Sequence, residues 1–203
     1  MGNMGGCVPS QEARTGNKRN LVIIGLDGSG TTTILYQIAF QGHLQTIPTM
    51  SINHEKAEYG QFSYELYDVG GLEKFRPVWR HFFGDADGIV FAIDAANRNR
   101  FEEARRELAK VFAEEKSGRI GPKRKRLAKN APNVPLLIFA NKQDVKNAAS
   151  AEEVEEALNC KRLPVKCYKV VECCAKNGDR INEGLDWMNA QLEKHALTST
   201  SGR

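Results

Sequence analysis

Apolar positions along this chain fall alternately into short unbroken runs and helical stripes. Leu21-Val22-Ile23-Ile24 is a continuous run ending at Gly25, the pattern of a buried strand. Ile34, Leu35, Ile38 and Ala39 then recur at helical spacing. Segment 52–67 reads as two antiparallel strands joined near Tyr59-Gly60-Gln61, the second running from Phe62 to Tyr67. A helix is expected over about 101–115 and a buried strand over 135–140. Ser150 and Glu153 make a capping box before Val154, Ala157 and Leu158. A further strand ends before Cys174. A last helix covers about 181–196, with Leu185, Trp187 and Leu192 as its packing face. Strands alternating with helices predict an α/β fold, with a mostly parallel central sheet, one antiparallel edge strand and helices on both faces.

With 203 residues, 41% of them apolar, the chain can bury a substantial core. The expected organisation is an arm over 1–17, one domain over 18–196 and a disordered tail over 197–203. No stretch approaches 18 apolar residues, so no transmembrane helix is expected. Residues 1–17 lack the apolar core of a secretory signal. The five cysteines, Cys7, Cys160, Cys167, Cys173 and Cys174, are an odd number without zinc spacing, which argues for reduced thiols in the cytosol.

The chemistry sits where strands end. Gly25 to Thr33 read GLDGSGTTT, against the phosphate-loop template G-x-x-x-x-G-K-[ST]. Gly25, Gly30 and Thr32 match, but Thr31 stands where the lysine belongs. In such a loop the backbone of Asp27, Gly28, Ser29, Gly30, Thr31, Thr32 and Thr33 approaches phosphate oxygens at a helix N-terminus. The Thr32 hydroxyl is a candidate Mg²⁺ ligand. Asp68-Val69-Gly70-Gly71 has the form D-x-x-G, with Asp68 reaching Mg²⁺ through water and the Gly71 amide facing the γ-phosphate. Asn141-Lys142-Gln143-Asp144 is N-K-x-D, in which the Asp144 carboxylate can accept from the two adjacent donors of guanine. Adenine lacks that donor pair and would leave the carboxylate unpaired. Cys174-Ala175-Lys176 can offer a backbone amide to the base carbonyl. Each tetrapeptide is weak alone; four in order, each at a strand end, predict GTP or GDP with Mg²⁺ as cofactors.

These residues, together with Ile47-Pro48-Thr49, Phe75-Arg76-Pro77-Val78-Trp79-Arg80 and Glu183-Gly184-Leu185-Asp186-Trp187, resemble the Arf/Arl family of small GTPases over about 18–195. The resemblance implies a P-loop small-GTPase fold. It implies that Thr49, in switch I, closes on Mg²⁺ and the γ-phosphate. It also implies that Ile52, Tyr67 and Phe82 face effector proteins, which would bind through switch I, switch II and the hairpin between them, and that an exchange factor acts on the chain. Two of those three positions usually carry larger aromatics in the family, and Met50-Ser51 departs from its usual switch I. Leu72 replaces the family's water-orienting glutamine, and leucine has no group to hold a water. Very weak hydrolysis is therefore expected. Lys74 and Arg76 in switch II are candidates for a cation replacing the missing lysine; the alternative is a solvated switch face or a partner contact. A nucleotide-locked module and a pseudo-GTPase scaffold remain as alternatives to a slow switch.

Charge adds a membrane reading. The net charge is +4, yet seven bases and no acid lie between Lys116 and Lys129, so the basicity is local. Relative to the family this segment, about 116–132, is an insertion. It is either a solvated loop or a patch for anionic lipid; nucleic-acid binding by Lys-Arg-Lys-Arg is the weaker reading. Gly2 is a candidate for myristoylation, with Gly6 departing from the preferred Ser or Thr, and Cys7 for palmitoylation as the second anchor. The resulting expectation is a cytoplasmic protein, peripheral on the cytosolic face of membranes, in trafficking or signalling. The arm, hairpin tip and basic segment should share the end of the sheet opposite the nucleotide loops.

Overall fold

The computed structural model describes residues 17–42, 52–112 and 134–200. Gly2, Cys7, switch I with Thr49, and the basic segment 116–132 lie outside them. The described elements are β1 (Lys18–Gly25), α1 (Thr31–Phe40), β2 (Ile52–Tyr59), β3 (Phe62–Val69), a 3₁₀ segment (Glu73–Asp85), β4 (Gly88–Asp94), α2 (Phe101–Phe112), β5 (Leu136–Asn141), α3 (Ala151–Ala157), β6 (Tyr168–Glu172) and α4 (Ile181–Thr200). They build one six-stranded sheet in the order β2-β3-β1-β4-β5-β6. β2 pairs antiparallel with β3, from Ile52 opposite Val69 to Tyr59 opposite Phe62, and the other pairings are parallel. The mixed sheet with an antiparallel edge strand is the expected one.

The central strands are buried on both faces, which is why they read as unbroken apolar runs rather than alternations. β1 from Leu21 to Gly25, β4 from Gly88 to Ile93 and all of β5 are buried. One core layer packs Val22, Ile24, Trp79, Phe83, Phe91, Leu108 and Val154 under the 3₁₀ segment, α2 and α3. The other packs Ile23, Leu35, Tyr64, Phe139, Leu185 and Met188 under α1 and α4. On α4, Leu185 and Leu192 are buried and Trp187 packs against this second layer, as its spacing implied.

Local signals place the ends of elements. At α3, the Ser150 hydroxyl accepts from the Glu153 amide and the Glu153 carboxylate accepts from the Ser150 amide. The turn between β2 and β3 uses Gly60 at φ 60°. Two features differ from expectation. α4 continues to Thr200 instead of ending at Ala196, because no glycine or proline stands between Ala196 and Gly202. Residues 73–85 form 3₁₀ turns where no element was expected; Pro77 inside them removes one donor, and Trp79 and Phe83 still reach the core. Among the described residues no helix is long and apolar enough to cross a membrane.

Candidate functional site

β1 and β4 are neighbours whose chain connections leave in opposite directions, and the crevice at their carboxyl ends is where ligands bind in open α/β sheets. A cavity of about 290 Å³ opens there, lined by residues that include Asp27, Gly28, Ser29, Asp94, Arg100 and Lys142.

The phosphate loop closes from Gly25 to α1 through two left-handed glycines, Gly28 at φ 77° and Gly30 at φ 92°. A side chain on Gly30 would stand 2.3 Å from the Asn141 amide nitrogen. α1 begins without a side-chain cap, and a helix start of that kind favours an anion. Thr31 is buried rather than projecting, with 8% of its surface exposed. A Cβ built on Gly25 would meet the Thr31 methyl at 3.1 Å, so this side chain packs down toward the strand end.

The D-x-x-G corner lies directly on this loop. A Cβ on Gly71 would meet the Gly25 carbonyl oxygen at 2.3 Å and the Asp27 nitrogen at 2.6 Å, so only glycine allows the approach. The Asp27 amide donates to the Gly71 carbonyl at 3.2 Å. Trp79 Nε1 donates to the Gly70 carbonyl at 3.1 Å, tying the corner to the core. Asp68 is fully buried, and its Oδ2 accepts from Thr32 Oγ1 at 2.6 Å and from Asn53 Nδ2 at 3.0 Å. A hydroxyl and a buried carboxylate brought together by neutral donors are a donor set suited to Mg²⁺. Leu72 follows as the half-buried residue before the 3₁₀ segment, its carbonyl accepting from the Phe75 amide at 2.8 Å.

The N-K-x-D corner is bound to the loop from the other side. Asn141 is 3% exposed. Its Nδ2 donates to the Ser29 carbonyl at 2.8 Å and its Oδ1 accepts from the Ala175 amide at 2.9 Å. Lys142, at φ 71°, pairs with Asp94 at 2.7 Å. Asp144 lies exposed at the corner. The Cys174 amide donates to the Asp179 carbonyl at 3.2 Å and the Ala175 amide is held by Asn141, so a base carbonyl there would share the Ala175 donor.

Arg76 also differs from expectation. Instead of a spare cation it is a strut, 8% exposed. Its Nε donates to the Gly71 carbonyl at 2.8 Å, and its guanidinium pairs with Asp27 at 3.1 Å and Glu103 at 2.8 Å. Lys74 lies over the Phe75 ring at 5.0 Å. Arg100, missed in the sequence, donates to the Asp27 carbonyl at 2.7 Å and to its carboxylate at 2.8 Å, and also pairs with Glu103. Nothing in its local sequence, Asn97-Arg98-Asn99-Arg100, marks that role. The Arg100 bonds hold the Asp27 carboxyl below its usual range, and Arg100 with Arg76 holds Glu103 down to about 2. Arg76 and Arg100 face Asp27 and Glu103, and Glu107, 3.9 Å from Arg76, is itself paired with Lys110, so the cluster is nearly neutral.

Of the expected effector-facing residues, Ile52 is 44% exposed, while Tyr67 and Phe82 are half-buried with ring centroids 6.3 Å apart. His54 stacks on Tyr67 at 4.6 Å and extends this strip.

The arrangement is that of a P-loop nucleotide-binding protein. The model of the ADP-ribosylation factor family matches residues 10–192, and the chain belongs to that family of small GTPases. Among solved structures it resembles that of the Arl6 BBS3 small GTPase from Trypanosoma brucei with bound nucleotide analogue GppNp. Identity is 28%, the TM-score is 0.72, and the match covers 88% of this chain and 99% of that one.

Proposed function

We propose that this chain is a guanine-nucleotide switch with very weak hydrolysis. The observation that carries the reading is the junction of three strand ends on one loop: Thr32 bonded to Asp68 at 2.6 Å on one side, and Asn141 bonded to the Ser29 carbonyl at 2.8 Å on the other. In this reading the backbone from Asp27 to Thr33 cradles the phosphates. Thr32, with Thr49 and a water held by Asp68, takes Mg²⁺, which would draw charge from the β- and γ-phosphate oxygens. Asp144 reads guanine, Lys142 lies along the nucleoside, and the Gly71 amide senses the γ-phosphate. Leu72 offers no hydrogen bond to an attacking water, so bound GTP persists. Effectors dock on Ile52, Tyr67 and Phe82. Gly2, with Cys7 or the basic segment 116–132, supplies the two signals that stable peripheral membrane attachment needs.

A specific observation favours a second reading, a scaffold that binds little nucleotide. The candidate replacements for the P-loop lysine are engaged elsewhere, Arg76 on Gly71, Asp27 and Glu103, and Lys74 over Phe75. Calorimetric titration of nucleotide-free protein with GTPγS and GDP, with and without Mg²⁺, separates the two. Micromolar or tighter binding supports the switch. Absence of binding, restored in Thr31→Lys, supports the scaffold. Single-turnover phosphate release then tests hydrolysis. Loss of vesicle binding in Gly2→Ala tests the anchor.

A further inference from the structure

The phosphate loop is short of one positive charge. From Asp27 to Thr33 its one charged side chain is the Asp27 carboxylate, and Thr31 stands where the template carries lysine. The cations around the loop are committed elsewhere. Arg76 and Arg100 pair with Asp27 and Glu103, Lys142 pairs with Asp94, and Lys74 lies over the Phe75 ring. What the loop offers instead is oxygen. Ser29 is 2% exposed, and its hydroxyl is buried without a hydrogen-bond partner among the described residues. Thr31 is buried beside it. Both side chains converge on Gly25, the last residue of β1. A Cβ there would stand 2.5 Å from Ser29 Oγ and 3.1 Å from the Thr31 methyl, with the Ala92 carbonyl oxygen 2.4 Å from the same point. A buried hydroxyl without a partner calls for an explanation, and a water or an ion is the usual one. Here its neighbours are further oxygens, which suit a cation rather than an anion.

We propose that a monovalent alkali cation takes the place of the lysine ammonium, held by the Ser29 and Thr31 hydroxyls against the phosphate oxygens of the nucleotide. Potassium is the alkali ion nearest to ammonium in charge and size. Hydroxyl, carbonyl and water oxygens are the ligands that hard cations of this kind accept. A divalent ion fits this corner less well, because its carboxylates are engaged: Asp27 faces two arginines, and Asp68 lies with Thr32 where Mg²⁺ is expected. The residue type at 31 also agrees. Valine would fill the same space as threonine but bring no oxygen. Without nucleotide the cation is held by neutral oxygens, and the phosphates add the negative charge that fixes it. Cation and nucleotide therefore raise each other's affinity by the same factor.

The inference rests on the nucleotide reading above, and the choice of salt keeps the two apart. The full chain is titrated calorimetrically with GTPγS and Mg²⁺, once in KCl and once in N-methyl-D-glucamine chloride. Equal ionic strength holds screening constant. Affinity should be about tenfold or more tighter in KCl, the worth of one charge-assisted contact. Thr31→Lys carries its own ammonium and should bind equally in both salts. Ser29→Ala and Thr31→Val each remove an oxygen and should bring the ratio between the salts down toward one. Thallium(I), a potassium mimic, gives a readout that needs no variant. Its NMR resonance should broaden when the parent and GTPγS are added, and KCl should reverse the effect. Equal affinity of the parent in both salts, or a thallium resonance that stays sharp while nucleotide binds, overturns the cation site and leaves the nucleotide reading standing. A ratio undiminished in Thr31→Lys overturns it too, since potassium then acts elsewhere. Absence of binding in either salt overturns both readings together.

Discussion

Thr31 removes an ammonium group from a loop whose other features remain in place. The left-handed glycines, the uncapped helix start and the Thr32 hydroxyl on Asp68 are all present. What is missing is charge, and Arg76 and Arg100 do not restore it because Asp27 and Glu103 balance them. Thr31→Lys should therefore tighten GTPγS binding by roughly ten- to a few hundred-fold, the worth of one charge-assisted hydrogen bond. Calorimetry reads it directly, and unchanged affinity would mean that another cation already serves the phosphates. Arg76 makes a different prediction. Its loss leaves the Gly71 carbonyl and Glu103 short of a donor beneath a half-exposed Asp27, so Arg76→Ala should lower stability by about 2 kcal/mol in urea titration. It should also loosen the D-x-x-G corner. A variant that weakens nucleotide binding at unchanged stability would instead make Arg76 a phosphate ligand, contrary to the contacts described.

Among the elements, the central strands were legible because burial on both faces leaves only apolar residues, and α3 was legible because its capping box is a local signal. The 3₁₀ segment was not. Its buried residues, Arg76, Trp79 and Phe83, do recur at three- and four-residue steps, but one of them is an arginine and Pro77 stands among them, so the stripe does not read as a helix. The motif residues were legible as a set, but their partners were not, since Arg100 and Asn53 gain meaning only when α2 and β2 are folded against the loop. β2 shows what edge strands need. It borders solvent, and charged residues guard it. Glu65, on its neighbour β3, gathers Lys18, His54 and Lys56. The Lys18 hydrogen bond, with those of His54 and Lys56, holds the Glu65 carboxyl down to about 2. A lowered carboxyl contributes stability above its ordinary pKa and loses it as pH falls toward the lowered value. Thermal melts of Glu65→Gln should therefore lie below the parent at pH 7. The gap should close between about pH 4.5 and pH 2. A gap that stays constant over that window would mean that shape, not charge, holds this corner.

At the scale of the whole molecule, the site is a place where separate parts of the sheet are bolted to one loop. Asn141 is the bolt between β5, the phosphate loop and the end of β6. The sequence placed it in the base-reading motif beside Asp144; the structure gives it a buried scaffold role, visible only once residues 29, 141 and 175 meet. Replacing it removes the partners of the Ser29 carbonyl and the Ala175 amide together, and both are buried groups that water does not easily reach. Asn141→Ala should cost about 2–4 kcal/mol of folding stability, as expected for two orphaned backbone groups. It should also release nucleotide faster by widening the loop. Asp144→Ala makes the contrast. Asp144 is exposed, so its loss should leave the urea midpoint near the parent's while erasing the preference for GDP over ADP. Measured side by side, the two variants separate what holds the loop in shape from what reads the ligand. If Asn141→Ala kept its stability and lost only guanine preference, the three strand ends would not depend on one another as these contacts require.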